Sequence, residues 1–372
     1  MFPNFLRRTD VNRPRTPLTR VVLGLVLAGL LTPSLPASAV TAGEKQSPQA
    51  RTSAIEARPG QKASVQKAPA ATGYSAATSR ARRAAVAKAR AARLVRETSI
   101  PRFKTDANGD TVPDLHAAAA IIYNPETNQV LWESNSQSKR SIASITKVMT
   151  ATVFVESDPD LSQRVTVDRS DVRNASTTYL RTNDVITTGD LLHLLLIASD
   201  NAAARVLARV SPWGSGGFIA RMNEKTIELG LSNTTYTDPS GLEAQNMSSA
   251  YDMARLIAYA ASDERISSVM RLPEYTVQTN RRSFTIQSTN QILRKGDIDV
   301  RGGKTGFISQ AGYCLATLLQ IPDVNQQVAV VVLGARSNAG RFTETRNLFQ
   351  WLSTKAQALF TKKAQEPVDG SW

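Results

Sequence analysis

Apolar and polar positions divide the 372-residue chain into three regimes. The first holds a short unbroken apolar run at 21–31, and the second, from 40 to about 110, has few aliphatic or aromatic residues. From about Leu115 the pattern is that of a folded domain. Residues 117–123 and 129–133, separated by the turn residues 124–128, predict strand, turn, strand. A helix begins around Ser144, with Val148, Met149, Val153 and Phe154 as its buried side. Short strands are expected at 165–167 and 184–186. A helix at 191–197, capped by Thr188 or Asp190, halts at Ser199-Asp200-Asn201, and another begins at 202–210. Residues 218–229 form an amphipathic helix stopped by Gly230, and 250–261 form a further helix. Strands follow at 313–319 and 328–333, then a closing helix at 343–360 that buries Leu348, Phe349, Trp351 and Leu352. This order predicts an α+β fold: an antiparallel sheet of terminal strands flanked by helices, with the helical middle packed beside it as a lobe.

The first regime changes the picture. Arg7, Arg8, Arg13, Arg15 and Arg20 precede the apolar run, and Ala37-Ser-Ala39 follows it. Basic region, short apolar stretch and Ala-x-Ala site read as a signal peptide over 1–39, hence an exported protein of the periplasm or cell wall. Residues 40–110 read as a basic, Ala-rich disordered linker. Within it, 79–97 (SRARRAAVAKARAARLVRE) has the composition of a basic helix. Residues 111–362 then hold the folded domain, and 363–372 form a polar tail in which no amphipathic anchor is visible.

Charge follows the same division. Residues 1–110 carry 19 Lys+Arg against 6 Asp+Glu, or +13, leaving 26 against 25, or +1, for the remainder. A domain so nearly neutral lacks the basic face of a nucleic-acid enzyme. The basic linker would instead offer electrostatic attachment to anionic lipid headgroups or wall polymer. Cys314 is the single cysteine, set in an apolar run, and reads as a buried structural thiol. His116 and His193 stand apart from any cluster with metal spacing, so neither a metal nor a cofactor is expected.

Three short motifs carry chemistry. In Ser144-Ile-Thr-Lys147 the hydroxyl and amine lie three apart and share a helical face. Ser199-Asp200-Asn201 lies 55 residues after Ser144, and Lys304-Thr305-Gly306 a further 105 residues on. Acyl transfer needs a nucleophile, a proton shuttle, an oxyanion hole and a hold on substrate charge. Ser144 would attack and Lys147, its pKa lowered by burial, would take the proton. Ser199 would relay a proton toward the leaving amine, and Asn201 would hold substrate amide and Lys147. Lys304 and Thr305 would bind a carboxylate, while Gly306 lets substrate backbone lie along an edge strand.

S-x-x-K, S-D-N and K-T-G in this order are the signature of penicillin-binding proteins and class A β-lactamases. Residues from about 115 to 360 resemble the low-molecular-mass penicillin-binding proteins, the serine D-alanyl-D-alanine peptidases. Gly189-Asp-Leu-Leu192, Asp238-Pro-Ser-Gly-Leu242 with Asn246, Ala311-Gly-Tyr313, 331–335 and Arg341-Phe342 extend the likeness. The resemblance implies the penicillin-binding protein and β-lactamase-like transpeptidase fold. It implies an oxyanion hole from the backbone N–H groups of Ser144 and Phe307, and Arg341 beside Thr305 as a carboxylate ligand. It also implies peptidoglycan peptide stems as partners and β-lactams as covalent inhibitors. Only 66 residues follow Gly306, too few for the C-terminal β domain of the family's carboxypeptidases. The stretch 303–315 resembles the soluble D-alanyl-D-alanine endopeptidases, which cut cross-links. Endopeptidase is therefore the expected activity, with carboxypeptidase as the near alternative. A class A β-lactamase is a weaker match, because Glu243 has the wrong spacing for that family's deacylating loop. A non-catalytic wall-binding protein fits poorly with an intact motif set.

Overall fold

The computed structural model describes residues 76–98, 100–322 and 326–361. The stretches 1–39, 40–75 and 363–372, read above as signal, first part of the linker and tail, lie outside the described residues. The linker's remainder is more ordered than its composition suggests. Helix α1, Ala76–Thr98, fills the basic Ala-rich segment, as the high helix propensity of Ala, Arg and Lys favours. A small hairpin follows, with Phe103–Thr105 antiparallel to Thr111–Pro113. The boundary drawn at 111 therefore cuts through a hairpin.

Five strands make the main sheet: β1 (Ala119–Asn124), β2 (Gln129–Ser134), β3 (Val300–Ile308), β4 (Gly312–Gln320) and β5 (Gln327–Ala335). Their spatial order is β3-β4-β5-β1-β2, antiparallel throughout, so strands from both ends of the domain share one sheet. Successive strand residues face opposite ways, and here both faces are covered. On one, Ile121, Tyr123, Cys314, Ala316 and Val331 pack against the helical middle. On the other, Ile122, Leu315, Val330 and Val332 pack against the closing helix through Phe342, Leu348, Phe349 and Leu352.

The helical middle is built around α2 (Thr146–Glu156), in which every residue from Thr146 to Val155 is buried. A helix enclosed on all sides is a core helix. Around it stand α3 (Thr188–Leu196), α4 (Asn201–Val210), α5 (Gly214–Glu228) and α6 (Ala250–Ser262). The cap of α3 is Thr187, whose hydroxyl accepts from Asp190 N, rather than either expected residue. Gly230 ends α5 at φ +62° as expected. The closing helix α7 (Asn338–Thr361) starts five residues earlier than its apolar pattern suggests. Ser337 Oγ accepts from Gly340 N at 2.8 Å and so provides the missing partner for its first turn. Trp351 is half-buried, its indole donating to Thr111 O at 3.0 Å.

Ile121, at the sheet centre and fully buried, should cost about 2–5 kcal/mol when cut to alanine. Ile227, 81% exposed on α5, should cost less than about 0.5 kcal/mol. Urea denaturation of the two variants checks the placement of the core.

Candidate active site

The site forms where α2, the start of α4 and the edge strand β3 meet. Ahead of α2 the chain makes one tight 3-10 turn, Ala143–Ile145, and Ser144 sits in it. Ala143 is held at φ +49°, a left-handed conformation that costs a non-glycine residue free energy. The turn delivers the Ser144 hydroxyl to the head of α2, and Lys147, one turn on, reaches back to it. Lys147 Nζ stands 3.0 Å from Ser144 Oγ, 2.6 Å from Asn201 Oδ1 and 2.6 Å from Ser240 O.

That geometry has a chemical meaning. Lys147 is 0% exposed, and burial, the largest influence, lowers its pKa to about 7 despite the opposing Asp238 and Asp200 carboxylates. A neutral amine has two N–H donors and one lone pair. The two carbonyl oxygens take the donors, so the lone pair points at the third neighbour, the Ser144 hydroxyl. The arrangement can take a proton from that hydroxyl and return it.

Ser240 contributes through its backbone, which the sequence reading missed. Its loop is held by Asp238, whose carboxylate accepts from Ser240 N at 2.8 Å, from Gly241 N at 3.1 Å and from the Ser240 hydroxyl. Asn246 Nδ2 donates to Asp238 Oδ1 at 2.8 Å and to Thr146 Oγ1 at 3.1 Å, tying the loop to α2. Gly241 lies at φ +78°, and a Cβ there would collide with Ala143 O and lie 2.9 Å from Ser144 N. Only glycine lets this loop close against the serine's turn.

Asn201 opens α4 and is aimed by its own amide, Nδ2 donating to Ala175 O at 2.7 Å. Asp200 caps the helix by accepting from Ala203 N, and also accepts from Tyr179 N at 2.6 Å. Ser199, at φ +60°, turns its side toward the cleft that Ser144, Asn201, Thr305, Gly306, Phe307 and Arg341 also line, a volume of about 500 Å³. Gly306 is where β3 touches the serine's turn: a Cβ there would stand 2.7 Å from Ile142 O and 3.1 Å from Ser144 N. Phe307, 49% exposed, stacks on Tyr313 with ring centroids 4.2 Å apart.

Two expected residues are placed differently. Lys304, 1% exposed, is not among the residues lining the cleft, because strand alternation sends it to the face opposite Thr305. Its Nζ donates to Thr305 O at 3.0 Å, and burial, then Lys147, push its pKa well down. Arg341 does line the cleft, but its guanidinium donates to Gly306 O at 2.9 Å and Asn338 Oδ1 at 2.6 Å, with burial lowering its pKa to about 10. It supports the backbone of β3 in this arrangement. Thr305 Oγ1 pairs with Thr289 Oγ1 at 2.7 Å, a cleft residue that no motif marked. Among the described residues no group of His, Cys, Asp and Glu is placed to hold a metal. His193 is a packed histidine, stacked 3.7 Å from the Tyr275 ring.

The sequence pattern of the family described as D-alanyl-D-alanine carboxypeptidase matches residues 106–337. The chain belongs to that family. It is a serine-type D-Ala-D-Ala peptidase with the penicillin-binding protein fold, a hydrolase of a family that acts on peptidoglycan and binds β-lactams. A D-alanyl-D-alanine endopeptidase of Haemophilus influenzae is 32% identical over 233 residues, covering 62% of this chain and 80% of the relative. One of Escherichia coli is 31% identical over 246 residues, covering 65% and 79%. The crystal structure of the Streptomyces K15 DD-transpeptidase superposes with a TM-score of 0.61 at 26% identity, covering 65% of this chain and 98% of that one.

Gly241→Ala should leave the protein folded but slow its acylation by penicillin at least about tenfold, since the loop must withdraw from the serine's turn. Rates of fluorescent penicillin attachment, set beside thermal melts, would show it; acylation at the wild-type rate would remove this glycine from the account.

Proposed function

We propose that this protein cleaves D-Ala peptide cross-links of peptidoglycan by way of an acyl-enzyme on Ser144. The observation that carries the reading is the aim of Lys147, whose two amine hydrogens are engaged by Asn201 Oδ1 and Ser240 O while Ser144 Oγ lies 3.0 Å away. Neutral Lys147 takes the hydroxyl proton as Ser144 Oγ attacks the D-Ala carbonyl carbon. The oxyanion sits between the backbone N–H groups of Ser144 and Phe307. The C–N bond then breaks, and the proton reaches the leaving amine through Ser199. Water, activated by the same lysine, attacks the acyl carbon, releases the product acid and restores Ser144. Thr305 binds the substrate's terminal carboxylate, helped by the positive charge of Arg341 at the cleft wall. Lys304 contributes through its buried charge at the strand and has no direct contact with the substrate.

Endopeptidase over carboxypeptidase is supported by the two D-alanyl-D-alanine endopeptidase relatives, matched over about four-fifths of their length. The stretch Gly303 to Leu315, which forms the cleft edge and its turn, carries the same likeness. We place the enzyme outside the cytoplasmic membrane, in the periplasm or wall, on the signal-like pattern of residues 1–39. No described helix is long and apolar enough to cross a membrane. The linker's positive charge supports attachment to an anionic surface in that compartment.

Digestion of purified peptidoglycan tests the reaction: cross-linked muropeptide dimers should become monomers, whereas loss of terminal D-Ala from pentapeptides alone would contradict the endopeptidase assignment. Ser144→Ala should abolish both penicillin labelling and dimer cleavage without loss of fold. Lys147→Ala should slow acylation by about 10²–10⁴-fold. Only the neutral amine is a base, so the acylation rate of the free enzyme should fall about tenfold per pH unit below a pKa of about 7 and level off above it. Steady fast nitrocefin turnover would point to a β-lactamase instead.

A further inference from the structure

The helix α1 is not used by the chemistry above, yet it is the most charged element described. Its sequence holds seven Lys+Arg against one Glu, a net of +6 on 23 residues. Residues 79–93 are all exposed. At about 100° per residue, Arg80, Lys88, Arg96, Arg82 and Arg90 fall near 0°, 80°, 160°, 200° and 280° around the helix axis. Arg93 and Arg83 fill the space between the later positions. Positive charge therefore encircles the helix instead of marking one side.

That distribution decides between anionic partners. A planar bilayer is met by a one-sided helix with charge and apolar residues on opposite faces. Here no such division exists, and Val86 is the exposed large apolar side chain of this helix. A flexible polyanion, which can pass along and around the helix, fits charge on every side. The polymer next to this enzyme is its own substrate meshwork, whose peptide stems end in free carboxylates.

The attachment point has a spatial consequence. Thr98, at the C-terminal end of α1, is buried, and its Oγ1 lies 3.0 Å from Ser337 Oγ at the head of α7. Gly340 makes the seat, since a Cβ there would stand 3.2 Å from Thr98 Cβ. Arg341, the next residue, lines the cleft. The charged helix is thus joined to the catalytic domain beside the cleft, on the element that carries one of its walls.

We propose that α1 is an electrostatic tether that holds the catalytic domain on the anionic strands of peptidoglycan while the cleft works on neighbouring stems. The proposal rests on the reading of the cleft as a peptidoglycan peptidase. Its association strength should fall steeply with salt, because each exposed charge contributes little and all are screened.

The test uses the full chain with Ser144→Ala, so that nothing is digested, sedimented with purified sacculi across a range of NaCl. Binding should weaken as salt rises. Adding Arg80→Gln, Arg82→Gln, Arg83→Gln and Arg90→Gln should weaken it at low salt by about tenfold. With Ser144 intact, the same four changes should lower product release from sacculi but leave cleavage of a soluble muropeptide dimer unchanged. Equal sacculus binding by the variant would overturn the tether. Tighter binding to phosphatidylglycerol vesicles than to sacculi, lost in the variant, would overturn it in favour of a bilayer. Failure of the unaltered enzyme to cut the soluble dimer would count against the peptidase reading alone, since binding is scored on the inert protein.

Discussion

Two carbonyl oxygens fix the rotation of one buried amine, and the rest of the site depends on that constraint. A lysine wholly withdrawn from water loses its preference for charge and becomes a base near neutrality. Loss of charge alone would leave the lone pair free to point anywhere. Asn201 Oδ1 and Ser240 O, each 2.6 Å from Nζ, remove that freedom. What remains is a lone pair directed at Ser144 Oγ. The two oxygens come from different parts of the chain, so their agreement is a property of the tertiary fold.

Each part of the fold can be read as a means to that agreement. Enclosure of α2 on every side provides the dry surroundings that lower the lysine's pKa. Asp200 begins α4 and so places Asn201 beside the amine. Asp238 gathers the backbone N–H groups of Ser240 and Gly241, which turns the Ser240 carbonyl inward. Gly241 and Gly306 let their segments lie against the serine's turn from two sides. Arg341 steadies the second of these by donating to Gly306 O. The backbone strain at Ala143 and Ser199, both at positive φ, sits where the surrounding contacts can hold it.

Much of this was legible in the letters. The α+β order and the pairing of terminal strands in one sheet follow from apolar alternation, and β3 and β4 are marked by the Gly-Lys-Thr-Gly run and the apolar stretch after it. Ser144, Lys147 and Asn201 come together as their motifs suggest. Other features escaped for identifiable reasons. The Ser240 carbonyl is a backbone group, and no residue type announces it. The early start of α7 depends on Ser337, whose role shows only once Gly340 is seen as part of a first turn and not as a stop. Thr289 reaches Thr305 from a loop sixteen residues away, a contact that no local pattern encodes. Lys304 faces away from the cleft because of strand parity, which the motif alone does not reveal. The composition of 76–98 argued equally for a solvated spacer and a helix; docking of Thr98 on Ser337 favours the helix.

The claim that unites these points is that Lys147 is a neutral amine at working pH. Selective isotope labelling of lysine, with the Cε resonance of Lys147 assigned by comparison with Lys147→Arg, measures its titration directly. The account predicts a midpoint of about 7. A midpoint near the ordinary lysine value, above about 10, would contradict it.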